Sequence, residues 1–256
     1  MRVDFHTHIW SNQEDSVDQF LGILDDNDID MAVVAAIAPV TDNDQLARIV
    51  GRGAGRLVGF ASVMPISQTT GAPWPNDPVS ELKRAVEDLG LQGLKLHPNI
   101  QGFCPTDPSA APVIETAIGY GLPILFHTGP SMGRAGRVYN SQLWHFDDLA
   151  IRYPEATIVL GHAEILREGP YLAAKHPNVY LETSGTWPRY CTLIPGVGES
   201  ACETCGASKV LFGTDMNPDK GFRLKENLKA IEGLKVSDED RALILGGNAS
   251  RLLSLS

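Results

Sequence analysis

Five residues spread along the chain have the chemistry of metal ligands: His6, His8, His127, His162 and Asp215. His6 and His8 stand two apart in Asp4-Phe5-His6-Thr7-His8, so in an extended strand they project from one face. Neutral imidazoles with one carboxylate suit zinc, and also iron or manganese. Lys95 and His97 are likewise two apart and share a strand face. Beside a single metal, Lys95 is a candidate to neutralise an anionic substrate. Trp10, just past His8, and Arg134 and Arg137, in a glycine-rich stretch, are further substrate-binding candidates, the arginines as bidentate carboxylate clamps. Trp187, Arg189 and Tyr190 form a weaker group, as do Asn99, Gln101 and Phe103. His145, in a helical stretch with Asp147 and Asp148, reads as a surface residue. His176 reads as a helix C-terminal residue suited to the helix dipole. Neither is assigned to catalysis.

For distant residues to meet, the fold must bring them to one place. Eight short runs, mostly continuously apolar, read as strands: Arg2–His8, Met31–Ile37, Leu57–Val63, Gly93–His97, Pro123–His127, Thr157–His162, Asn178–Thr183 and Lys209–Asp215. Helical spacing separates them. Val17, Phe20, Leu21 and Leu24 make one apolar stripe with Ser16 as its cap; Leu82, Val86 and Leu89 make another after Pro78. Val113, Ile114, Ala117 and Ile118 follow, then Leu224, Leu228 and Ile231, and Ser237 to Leu253 reads as a terminal helix starting at Ser237 and Asp240, with a second short turn beginning at Asn248. Alternation of this kind predicts an α/β fold, a closed (β/α)8 TIM barrel in a single domain spanning residues 1–256, with a C-terminal helix packed on it. An open doubly wound sheet is the alternative. In a barrel the active site lies at the C-terminal ends of the strands, and the candidate ligands fall at the ends of strands 1, 5, 6 and 8. The Gly71–Pro78 and Gly129–Gly136 stretches read as loops at that same end.

Asp4-Phe5-His6-Thr7-His8, Gly93-Leu94-Lys95-Leu96-His97-Pro98, His127-Thr128-Gly129, Gly161-His162, Phe212-Gly213-Thr214-Asp215 and Gly247-Asn248-Ala249-x-Arg251-Leu252 together resemble the amidohydrolase superfamily. In particular they resemble the amidohydrolase-related branch that also contains aminocarboxymuconate-semialdehyde decarboxylase. The resemblance implies that His6, His8, His127 and Asp215 bind the more buried metal. It implies that His162 either polarises the substrate or ligates a second metal, with Lys95 where some members hold a carboxylated lysine between two metals. One ion, most simply Zn2+, is the arrangement favoured for this branch. The expected activity is metal-dependent hydrolysis of an ester, lactone or amide of a small substrate. A divalent cation lowers the pKa of bound water from about 15.7 to roughly 7. Asp215 then carries the proton from water to the leaving group, and His162 hydrogen-bonds the developing oxyanion. The alternative on the same site is a lyase reaction, non-oxidative decarboxylation of a small aromatic or unsaturated acid. A metal-independent lactonase, with His6 and His8 on the substrate, and a non-catalytic metal-binding barrel are further readings.

Composition narrows the partners. The 256 residues carry a net charge of −10, which supports solubility and offers no basic patch for nucleic acid. No apolar run approaches the roughly 20 residues of a membrane helix, and the N-terminus shows no secretory pattern, so a cytoplasmic enzyme is expected. A homodimer is plausible by base rate alone. Of the four cysteines, Cys202 and Cys205 have a C-x-x-C spacing with only Cys191 close by, and Cys104 stands apart. Simple thiols are the expected reading.

Overall fold

The computed structural model describes residues 1–66, 77–129, 136–163, 165–166 and 168–255. Eight parallel strands follow one another in sequence order: β1 (Val3–Thr7), β2 (Met31–Ala35), β3 (Leu57–Ala61), β4 (Gly93–Leu96), β5 (Pro123–His127), β6 (Thr157–Gly161), β7 (Val179–Glu182) and β8 (Val210–Leu211). The chain just past β8 returns to β1. Phe5 donates its backbone N–H to Phe212 O at 2.8 Å, Asp215 donates to His6 O at 2.7 Å, and His8 donates to Met216 O at 2.8 Å. These bonds close the sheet into a barrel and set Asp215 directly beside His6.

Helices at Val17–Asp25, Asn43–Arg52, Pro78–Glu87, Ala111–Gly119, Trp144–Arg152 and Glu168–Lys175 connect consecutive strands. Two more, Thr186–Leu193 and Val197–Cys205, lie between β7 and β8, and Phe222–Glu232 follows β8. Their starts are chemically marked. Asp42 accepts the Gln45 N–H at 2.7 Å, and Asp77 caps a helix whose first residue is Pro78. Ser16 sits at its expected cap position but makes no capping bond. A 3-10 turn over Ser11–Ser16 leads the chain into that helix already wound.

Outward strand residues such as Ile124, Phe126, Ile158 and Leu160 pack with the helices in one large core. A second core fills the barrel itself: Val3, Phe5, Val33, Phe60, Leu125 and Val159 among others, with Phe5 and Phe60 edge to face at 5.4 Å. Ala249 and Leu253 join that inner core, so the C-terminal segment plugs the end of the barrel away from the histidines. The strands' inner faces are thus apolar below and polar above.

One irregularity makes that division possible. Val3 and Phe5 face inward, and strict alternation would then turn His6 and His8 outward. The register shows why it does not. Asp4 pairs with Ala32 and Thr7 with Val34, so three steps along β1 match two along β2. This bulge inserts one residue and re-aims the side chains beyond it. Phe5 serves the inner apolar core, and the next residue, His6, serves the polar end.

The terminal segment, expected as a helix over Ser237–Leu253 with a second short turn from Asn248, is broken before that residue. It runs as Asp238–Ala242, one π-type turn at Leu243–Gly247, and Asn248–Leu253. The break comes where the chain presses on the start of β1: a Cβ at Gly246 would lie 2.2 Å from the Met1 carbonyl oxygen. No helix among the described residues is long and apolar enough to cross a membrane. Replacing Gly246 by Ala is expected to cost about 1–3 kcal/mol, because backbone rather than a flexible side chain must move. Urea unfolding of the two proteins measures it; an unchanged midpoint would show that the close approach is dispensable.

Candidate active site

At the open end of the barrel the imidazoles form a continuous series. His6 stands 5.1 Å from His8 and 4.9 Å from His162, ring centre to ring centre. His162 is 4.8 Å from His127, which stacks on His97 at 3.7 Å and 11°. Four of these five come directly off strand ends: His127 ends β5, while His8, His97 and His162 lie just past β1, β4 and β6. Asp215 completes the group, with Oδ1 3.2 Å from His8 Nε2 and 3.8 Å from His6 Nε2.

The hydrogen bonds fix which nitrogen of each ring is free. His8 Nδ1 is 2.8 Å from the Ala35 carbonyl, which can only accept, so Nδ1 carries the proton and Nε2 keeps its lone pair. His6 Nδ1 donates to Glu182 Oε2 at 2.8 Å, leaving its Nε2 lone pair facing Asp215 and the Lys95 ammonium, whose Nζ is 3.0 Å away. The buried Nε2 of His127 has no hydrogen-bond partner among the described residues. Burial, reinforced by neighbouring cationic groups, pushes the pKa values of His6 and His127 well below the ordinary histidine value, and that of His97 to about 2. These rings are neutral, which is the ligand form.

Such a donor set fits a divalent cation. His6, His8 and Asp215 each offer one ligand atom, and the three lie within 4.8 Å of one another. His127 lies outside that tight group, one ring beyond His162, with its orphaned nitrogen as its claim to membership. His6, His162 and Glu182 form a second group of the same size. There, however, the Glu182 carboxylate is already taken. It accepts from His6 Nδ1, from Ser184 N at 2.5 Å, from Ser184 Oγ at 2.7 Å and from His162 N at 3.3 Å, which uses its lone pairs. The first group therefore has donors to spare and the second does not.

Glu182 was missed in the sequence, although it obeys the same rule that found Asp215: a carboxylate at the C-terminal end of an otherwise apolar strand. Burial raises its pKa, and His162 and Ser184 oppose that rise. Ser184 spends its one hydroxyl proton on Glu182, so it accepts from His162 Nδ1 at 2.7 Å. Through Ser184, one carboxylate orients both His6 and His162. Gly213 is tied to the same group, since a Cβ there would lie 2.1 Å from Glu182 Oε1. Arg223 was also missed. Its Nη1 donates to Asp215 Oδ2 at 2.6 Å and to the Asp215 carbonyl at 2.7 Å. Burial works to raise the Asp215 pKa, but His162, His8 and His6 outweigh it and hold the carboxyl well below its usual range. His162 and Asp215 both adopt positive φ, 61° and 53°, a left-handed conformation that non-glycine residues seldom hold without surrounding constraint.

The other candidates separate cleanly. Lys95 is buried, with its pKa pushed down to about 8 by burial against the pull of Asp215 and Glu182. Trp10 stacks on His8 at 4.5 Å and 11°. Arg137 is exposed, and Arg134 lies outside the described residues, as do most of the Gly71–Pro78 and Gly129–Gly136 stretches. Gln101 is structural: its side chain accepts from His97 N and donates to Val63 O. Phe103 and Trp187 are core residues. Asn99 is buried, and neither its Nδ2 nor its Oδ1 has a partner among the described residues. Arg189 lines a cleft of about 1270 Å³ that also includes Gly185, Thr214 and Arg223 but none of the histidines. His145, expected at the surface, is buried instead, because its helix turns it under Tyr139 to face Cys104. His176 follows its helix as expected and bonds Asp147 through Nε2 at 2.6 Å. Cys202 is buried, and Cys191 and Cys205 are partly so, all free thiols.

If Glu182 orients His6, Glu182→Gln is expected to weaken metal binding by about 10–100-fold while the barrel stays folded. Metal titration followed by circular dichroism separates the two effects. Undiminished affinity would remove Glu182 from the site's supporting structure.

Comparisons with known proteins give the family and the fold. A family model described as Amidohydrolase matches residues 3–255. A 2-amino-3-carboxymuconate-6-semialdehyde decarboxylase of Dictyostelium discoideum is 28% identical over 92 residues, which span 36% of this chain and 24% of that protein. Among solved structures, a dihydroxybenzoic acid decarboxylase from Polaromonas, with bound manganese and the inhibitor 2-nitroresorcinol, superposes with a TM-score of 0.71 at 22% identity, covering 99% of this chain and 97% of that one. A probable 2-pyrone-4,6-dicarboxylic acid hydrolase from Acinetobacter baumannii, with citric acid bound, gives 0.68 at 16% identity over 99% of each chain. These structural likenesses carry the fold, and the family model, spanning nearly the whole chain, shows that this protein belongs to the amidohydrolase family.

Proposed function

We propose that the protein is a metal-dependent, non-oxidative decarboxylase of a small aromatic or unsaturated carboxylic acid. Sequence reasoning placed hydrolysis first and decarboxylation second; the relatives support the reverse order. The curated relative and the manganese-bound structural neighbour are both decarboxylases, while the lactone-type hydrolase neighbour keeps hydrolysis as the competing reading. The observation that carries the proposal is a buried polar cluster with unspent imidazole lone pairs and a buried lysine, a site that attracts a cation and an anion together.

His6, His8, His127 and Asp215 are the proposed ligands of one divalent ion, with His162 and Lys95 as its neighbours. When bound, that ion supplies a Lewis acid for the substrate's oxygens. Three imidazoles and a carboxylate suit zinc and manganese alike, so the donor set alone does not choose. The residues of the chain do the rest. Lys95 neutralises the substrate's carboxylate or phenolate from a buried position where the interaction is weakly screened. His162, its Nδ1–H spent on Ser184, accepts from a substrate hydroxyl through Nε2. Asp215 takes the proton of the incoming acid and delivers it to the carbon that loses carbon dioxide: the C–C bond breaks, its electron pair takes up the proton, and CO2 leaves. Arg223 keeps one Asp215 oxygen anchored so that the other points inward. Asn99, with a free donor and a free acceptor, reads the substrate's polar edge. Trp10, His97 and the two loop arginines, Arg134 and Arg137, complete the proposed substrate contacts.

Assaying aromatic and unsaturated acids for CO2 release, beside lactones and esters for acid release, tests the reaction directly. CO2 release restored by Mn2+ or Zn2+ after chelation is expected. Acid release alone would overturn the proposal in favour of hydrolysis. Asp215→Asn is expected to lower kcat about 100-fold or more with metal still present by elemental analysis. Full activity with metal bound would remove Asp215 as the proton carrier. Asn99→Leu should raise KM about tenfold yet leave the unfolding midpoint unchanged or higher, because an unsatisfied buried amide is removed.

A further inference from the structure

Two side chains outside the proposed ligand set, Asp4 and Thr214, brace it from both sides. Successive residues of a regular strand bond to opposite neighbours. In β1 two in a row bond to the same one. Phe5 donates its N–H to Phe212 O at 2.8 Å, and His6 offers its carbonyl to Asp215 N at 2.7 Å and to Thr214 N at 3.3 Å. That doubling belongs to the bulge between Asp4 and Thr7. A side chain, rather than a neighbouring strand, meets the His6 N–H there: Asp4 Oδ1 accepts it at 3.2 Å.

The same carboxylate reaches the segment past β8. Asp4 Oδ1 also accepts from Thr214 N at 3.1 Å, and Oδ2 accepts from Thr214 Oγ1 at 2.6 Å. Thr214 Oγ1 in turn accepts from Met216 N at 3.2 Å. Thr214 and Met216 are the two chain neighbours of Asp215, which holds a φ of 53°. The hydroxyl therefore bridges across Asp215 and fixes the left-handed turn that aims its carboxylate. Backbone bonds from Phe5, His8 and Asp215, with Thr7 Oγ1 on Val33 O at 2.6 Å, already fasten β1 to both its neighbours. An apolar residue would fill position 4 without the cost of burying a carboxylate, so Asp4 answers to something other than packing.

We propose that Asp4, acting through Thr214, positions Asp215 against His6 and His8 and so sets the grip of the site on its cation, a role that rests on the ligand set assigned above. Asp4 spends both oxygens on protein donors and joins neither group of candidate ligands among the described residues. It works at one remove. Without the Thr214 hydroxyl, Asp4 Oδ2 loses its donor and Met216 N loses its acceptor. The turn at Asp215 then relaxes, and Oδ1 leaves the 3.2 Å and 3.8 Å it keeps from Nε2 of His8 and His6.

Titration of the intact protein with Co2+, followed by its visible absorption bands, tests this, with circular dichroism as the check on folding. Thr214→Val removes the hydroxyl at nearly constant volume. It is expected to weaken Co2+ binding about tenfold or more and to shift the bands, with the circular dichroism spectrum unchanged. Thr214→Ser, which keeps the hydroxyl, should restore both. Asp4→Ala is expected to weaken binding at least as much as Thr214→Val, and the double variant no more than Asp4→Ala alone, because the two act along one chain of bonds. If Asp4→Ala does not fold, the valine and serine variants still decide. Unchanged affinity and bands in Thr214→Val, with only a lower unfolding midpoint, would make the pair a brace for the fold and overturn the assignment. So would full additivity in the double variant. Failure of the unaltered protein to bind Co2+ would instead overturn the metal reading itself, and this role with it.

Discussion

Every function open to this barrel mouth depends on how its imidazoles are oriented. Four of the five rings are anchored to the protein through Nδ1, His6 also meeting Lys95 through Nε2, while His127 is held by its stacking on His97. Here Ala35 O fixes His8, Glu182 fixes His6, Ser184 fixes His162, and the Ile100 N–H fixes His97. The partners come from β2, β7 and the loops after β4 and β7, so closing the barrel is also what sets the tautomers. Misregister any one of those elements and a ring loses its direction before it loses its place.

That dependence explains why the polar end is built on an apolar one. Buried polar groups are costly unless satisfied, and Asp4, His6, Lys95, Glu182 and Asn248 are all nearly or fully buried. Asp4 shows the scale of the bonding required: it accepts from Thr214 Oγ1 at 2.6 Å, from Thr214 N at 3.1 Å and from His6 N at 3.2 Å, tying β1 to the segment past β8. The inner apolar core around Phe5 and Phe60, closed below by Ala249 and Leu253, supplies the burial that lets such a layer persist. Left-handed backbone at His162 and Asp215 adds a further local cost that the same packing must offset.

Much of this could be read in the chain. All eight strands fall within a few residues of their expected bounds, because strands buried on both faces are written as continuous apolar runs. The four imidazoles and Asp215 stood out because polar residues at the ends of such runs have no structural reason to be there. What stayed hidden was pairwise. The bulge in β1 is a property of register between two strands, and period-two counting from Val3 alone points His6 the wrong way. Arg223 hid in an amphipathic helix, where a charge reads as solvated. His145 hid for the same reason, since Asp147 and Asp148 beside it suggest a surface while its own side chain turns inward. Glu182 was the avoidable omission.

Hydrolysis and decarboxylation ask different things of the same carboxylate, and this bears on which reading the geometry suits. For hydrolysis Asp215 must begin ionised and take a proton; for decarboxylation it must acquire one and give it to carbon. With burial outweighed by His162, His8 and His6, and with Arg223 on Oδ2, the unliganded carboxylate is firmly ionised. An incoming acid changes that balance by bringing its own negative charge, and often its own proton, into a pocket where like charges close together cannot both stay ionised. An anionic substrate therefore does what a neutral lactone cannot: it raises the proton affinity of Asp215 on arrival. Under the proposed decarboxylation, Asp215 would become an acid only with the anionic substrate in place, and buried Lys95 would moderate how far that rise goes.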